Sequence, residues 1–65
     1  MRFRIELNGD DIDSKQLWEQ IKVYAVNLTE VGDVIWIHGE TNARNLGFII
    51  DRCAAFGNLD IKVYN

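Results

Sequence analysis

The five residues Val34-Ile35-Trp36-Ile37-His38 constrain this chain more than any other stretch. They form an apolar, β-branched run closed by Gly32-Asp33 on one side and Gly39 on the other. A run of this length between turn formers has the character of a central strand, which needs apolar side chains on both of its faces. The rest of the chain can be placed by asking which face of this strand each segment covers.

Phe3, Ile5 and Leu7 alternate with Arg2, Arg4 and Glu6, the period-two pattern of a strand with one face on a core. Asn8-Gly9-Asp10-Asp11 ends it. Asp13 followed by Gln16 three residues later predicts a helix cap, with Ile12 and Leu17 at the positions of a hydrophobic staple, so a first helix starts at Ser14. Where that helix ends decides the fold. Leu17, Ile21, Tyr24, Leu28 and Val31 keep helical spacing, which would carry it to about Val31. Residues 23–31 hold four β-branched side chains and an asparagine, which weaken a helix and suit a strand. A helix stopping near Ala25 leaves 27–31 to pair with 34–38 through Gly32-Asp33, a combination typical of tight hairpins. That register sets Leu28 opposite Ile37 and Thr29 opposite Trp36.

In the second half, Thr41 or Asn42 caps a second helix. Its apolar stripe is Ala43, Leu46, Gly47, Ile50, Cys53 and Ala54, widened by Ile49 and Phe56, with Gly57 placed as the residue that closes its end. Leu59, Ile61 and Val63 then alternate with Asp60, Lys62 and Tyr64, predicting a last strand with one buried face. The expected fold class is α+β: a two-layer ferredoxin-like βαββαβ sandwich with both helices on one sheet face. The alternative is a three-stranded parallel βαβαβ with the first helix running to about Val31.

Composition bounds the function. With 65 residues, 48% hydrophobic and 26% charged, residues 1–65 form one small globular domain. A chain this short buries proportionally little surface, which favours association with another copy or a protein partner. The formal charge of −3 disfavours nucleic acid and anionic membranes as partners. One cysteine and one histidine are too few for a metal site within one chain. No stretch approaches the length of a membrane span, and the alternating start is unlike a signal peptide, so a cytoplasmic location and no membrane partner are expected.

Both architectures leave one sheet face without helices, and that face is the expected partner-binding surface. It should carry Arg2, Arg4 and Glu6, then Val34, Trp36 and His38, then Asp60, Lys62 and Tyr64. The partner-binding residues are Arg2, Arg4, Trp36, His38, Lys62 and Tyr64. Trp36 is expected to be covered, by the arginine stems of its own chain, by a second copy, or by a single-stranded nucleic acid stacking on Trp36 and Tyr64. A helix start after Gly39 offers a third reading, an anion- or metabolite-binding regulatory domain. Phe48 lies off the apolar stripe as a further contact point, and Cys53 reads as a buried, inert thiol.

His38-Gly39-Glu40-Thr41 resembles the His-Gly-Glu-Thr stretch of the histidine phosphatase family. In that family an arginine precedes the histidine, and a second histidine and further arginines complete a phosphate pocket. Ile37 stands at the arginine position, His38 is the only histidine, and four of 65 residues carry the likeness, so no phosphatase activity is expected. The chain also lacks the Cys-x-x-Cys loop of ferredoxin-like heavy-metal carriers and the glycine-rich anion loop of small acyl-phosphate hydrolases. No paired nucleophile and base or phosphate loop is present, so no catalytic residue and no cofactor are assigned.

Overall fold

The alternation of Phe3, Ile5 and Leu7 becomes strand β1, Arg2–Asn8, with those three side chains buried and Arg4 and Glu6 on the other face. A computed structural model describes residues 1–64. Helix α1, Ser14–Ile21, begins where capping chemistry requires: the Gln16 backbone N–H donates to Asp13 Oδ1 at 3.0 Å. It continues as one tight helical turn over Lys22–Tyr24. Ala25 then takes a left-handed conformation, φ 59° and ψ 40°, with its N–H on Lys22 O. That geometry, unfavourable for a residue with a Cβ, ends the helix four residues after Ile21.

Val26 is buried as the chain turns into β2, Asn27–Val31, which pairs with β3, Val34–Glu40. Leu28 lies opposite Ile37 and Thr29 opposite Trp36, as the hairpin reading requires. Gly32 has φ +59° while Asp33 stays negative, the signature of a two-residue turn with glycine in its first central position. Helix α2, Ala43–Ala54, is capped by Asn42, whose Oδ1 accepts from the Asn45 N–H at 2.8 Å. Strand β4, Asn58–Tyr64, returns to the sheet.

The sheet order is β2-β3-β1-β4, and each neighbouring pair is antiparallel. With both helices on one face this is the ferredoxin-like α+β sandwich, and the parallel alternative does not occur. β1 and β3 occupy the middle of the sheet. Phe3, Ile5 and Leu7 from β1 meet Ile35 and Ile37 from β3, Leu17 and Ile21 from α1, and Leu46, Ile49 and Cys53 from α2.

Three details differ from the sequence reading. In α2 the buried stripe is Leu46, Ile49 and Cys53, whereas Ala43, Gly47 and Ala54 are exposed and Ile50 is half-buried. The larger side chains decide the rotation of the helix, since they contribute most of the apolar area. Gly57 does not have the left-handed φ expected of a helix-closing glycine. It is needed for close approach: a Cβ there would stand 2.4 Å from Asn8 O and 3.1 Å from Asn8 C. The third difference concerns β4, whose core-facing residues are poorly covered: Ile61 is 38% and Val63 50% exposed, with Leu59 half-buried.

Candidate functional site: the helix-free sheet face

Strand parity assigns the open face. Ile35 and Ile37 point into the core, so Val34, Trp36 and His38 point away from it, together with Arg2, Arg4 and Glu6 of β1. The register arranges these side chains in rows that cross the strands. Lys62, Arg4 and His38 form one row, and Asp60, Glu6 and Trp36 form the next. A row holding Tyr64, Arg2 and Glu40 lies beyond the first. Adjacent rows are two residues apart along the strands, about 7 Å.

Trp36 is half-buried, and its cover comes from within the chain. The Arg4 guanidinium carbon lies 4.7 Å from the centre of its ring. Its indole N–H donates to Glu6 Oε1 at 3.2 Å. The two contacts satisfy the polar edge of the indole and place a cation over its face, an arrangement that contributes on the order of 0.5–1 kcal/mol at exposed sites. Beside them, His38 Nε2 lies 3.3 Å from Thr29 Oγ1 of β2.

Five of the six expected partner-binding residues come together. Arg2, Arg4, Trp36, His38 and Tyr64 line one open depression of about 700 Å³, floored by Phe3 and Gly39 and edged by Glu40. Lys62 lies outside it and borders a smaller hollow of about 60 Å³ with Arg4, Glu6 and Asp60. Tyr64 is 45% exposed and is the most open aromatic ring of this surface.

The sequence reading missed Glu6 as a partner of Trp36. The signal was available: once β1 and β3 are antiparallel neighbours, Glu6 falls opposite Trp36. It also missed an acidic hollow of about 620 Å³ at the far end of the sheet, where Asp10, Asp11, Glu30 and Asp33 converge from two loops and β2. Among the described residues no group of three or more His, Cys, Asp or Glu side chains is disposed to hold a metal ion.

On the helical side, Phe48 is part of a built cluster. Its ring lies 6.3 Å from that of Tyr24 at 29°. Arg52 sits 5.6 and 5.7 Å from the two rings and donates to Phe48 O at 3.1 Å. Cys53 is fully buried, and burial pushes its thiol up to about 11, so it stays protonated and unreactive at neutral pH. At the start of α2 the Asn45 N–H donates to the Asn42 side chain and the Leu46 N–H to Asn42 O.

No described helix is long and apolar enough to cross a membrane. Compared with known proteins, the chain matches no family model, no curated protein and no solved structure.

Proposed function

We propose that this chain is a non-catalytic binding domain whose helix-free sheet face packs on a second copy of itself. The observation that carries the reading is the pair of adjacent rows of opposite charge, Lys62-Arg4-His38 beside Asp60-Glu6-Trp36. A two-fold axis running between these rows, parallel to them, lays one row of the first copy on the other row of the second. Arg4 then faces the partner's Glu6, Lys62 faces the partner's Asp60, and His38 lies opposite the partner's Trp36, whose ring face keeps its own Arg4. A self-complementary patch of this kind is what a symmetric dimer requires.

Nucleic-acid binding is the second reading, and it draws on the arginines and aromatics of the same depression. It is weaker, because Arg4 occupies the ring face on which a base would stack. The formal charge of −3 opposes it too.

Sedimentation separates the two. Dimerisation through the face predicts that Arg4→Glu and Glu6→Arg each lose this contact, and that mixing them restores it, since each then meets its complement. Trp36→Lys loses it and is not rescued. A wild type that stays monomeric, and whose fluorescence in a Trp18→Phe background is quenched by single-stranded RNA in a salt-dependent manner, would install the nucleic-acid reading.

A further inference from the structure

Strand β4 is an uncapped edge. Its outer side faces no other strand from Asn58 to Tyr64, and it contains no proline. The opposite edge, β2, is five residues long and sets a charged side chain, Glu30, across from the buried Ile35. Short length and an inward charge are how an edge is protected from pairing. β4 has the reverse character, with Ile61 and Val63 on the helical side 38% and 50% exposed.

Helix α2 extends this apolar surface. Its flank carrying Phe48 and Arg52 meets Tyr24, so the flank on the other side of the buried Ile49 looks away from α1. That flank is Ala43, Gly47, Ile50 and Ala54, and α2 rests over β4. A Cβ built on Gly47 meets nothing within 4 Å. Small residues there leave room for another helix alongside.

The charges on the open side of β4 are mismatched within the chain. Lys62 is directly opposite Arg4, and Asp60 is directly opposite Glu6. Like charges directly opposite in an antiparallel pair are destabilising. Among the described residues the one ion pair within 4 Å is Lys22 with Glu19, so none of these four is matched by its own chain.

We propose that β4 pairs antiparallel with β4 of a second copy, across a two-fold axis through Ile61. In that register Ile61 lies beside the partner's Ile61, Leu59 beside the partner's Val63, and Asn58 beside the partner's Tyr64. Asp60 lies opposite the partner's Lys62, and Lys62 opposite the partner's Asp60. The exposed apolar residues are covered, both mismatched charges gain a partner, and the two four-stranded sheets become one. A lone lysine would blunt an edge; with an aspartate two residues before it, the edge complements itself.

This contact is separate from the face contact of the preceding section and does not rest on it. The two are compatible. Both axes cross the strands at the level of Ile5 and Ile61, one along the rows and one normal to the sheet, so together they close as a four-chain assembly with perpendicular two-folds.

The test uses Ile61, which points to the helical side and takes no part in the open face. Ile61→Lys and Ile61→Glu each place like charges on the axis, so each is expected to halve the sedimenting mass relative to wild type. Mixing the two is expected to restore it, because lysine then meets glutamate. Trp36→Lys removes the face contact alone and leaves the Ile61 mixing effect intact. As a gentler probe, Ile61→Cys in a Cys53→Ala background should form an interchain disulfide, whereas Val63→Cys, opposite the partner's Leu59, should not. The proposal is overturned if the Ile61 variants keep the wild-type mass, if mixing restores nothing, or if cysteines at 61 and 63 crosslink equally.

Discussion

β1 and β4 lie side by side in one register and carry the same alternation. Phe3 is opposite Val63, Ile5 opposite Ile61 and Leu7 opposite Leu59. Their fates differ: Phe3, Ile5 and Leu7 are 2%, 0% and 0% exposed, whereas Ile61 and Val63 are 38% and 50% exposed. Alternation states which face of the sheet a side chain joins. Whether that face is covered depends on the position of the strand in the sheet. β1 has a strand on either side and sets Phe3, Ile5 and Leu7 in the core cluster with residues of both helices, while β4 has β1 on one side and sets the half-buried Leu59 against that cluster.

The largest expected effect tests that contrast directly. Ile5→Ala should lose about 2–5 kcal/mol in urea unfolding, because a fully buried side chain leaves a cavity between β3, β4 and the helices. Ile61→Ala, at low protein concentration, should lose about 1 kcal/mol or less, since much of that side chain is already wet. Ile37→Ala, on the other central strand, should fall with Ile5→Ala. If Ile5 and Ile61 cost the same in a monomer, the helices cover β4 and the contrast is wrong. If the Ile61 cost rises with protein concentration, the edge is covered by a second copy.

Gly57, just before β4, lies against the end of β1, and its substitution is the next largest effect. A Cβ at this position would press on Asn8 O, so Gly57→Ala must move β4 away from the end of β1. A loss of about 1–3 kcal/mol is expected, as for other overpacked sites. Gly47→Ala is the matching control on α2. Nothing lies within reach of its Cβ, and the helix interior favours alanine, so a gain of about 0.5–1 kcal/mol is expected from thermal unfolding.

The parts of this molecule that were legible from sequence share a physical cause. The hairpin was readable because Gly32-Asp33 and the β-branched residues around Val26 oppose a helix locally, and Ala25 ends it where that opposition begins. The open face was readable because parity within β3 admits no second solution once Ile35 and Ile37 are inside. The rotation of α2 was not, because alanine and glycine count as apolar while offering too little area to orient a helix. The exposure of β4 and the close approach at Gly57 were hidden for a related reason: both depend on how far one element reaches over another, and alternation carries no such length. The internal cover of Trp36 followed from cross-strand register, which needs the strand order first.

The smallest expected effect is the most discriminating for β4. Asp60 stands opposite Glu6 and Lys62 opposite Arg4, so an isolated chain carries two like-charge cross-strand pairs. Asp60→Lys converts the first into an opposite-charge pair and leaves the second unchanged. Cross-strand pairs of this kind contribute about 0.2–1 kcal/mol, so the variant should be more stable than wild type by that amount when both are monomeric. At higher concentration, with Trp36→Lys in both proteins to remove the face contact in which Lys62 also meets the partner's Asp60, the order should reverse. The new lysine would face the partner's Lys62 across the edge, and the wild type would gain stability by association while the variant would not. Chemical unfolding at two protein concentrations therefore reads both effects from one substitution. A variant more stable than wild type at every concentration would leave β4 a free edge in solution, its charges arranged without reference to a second copy.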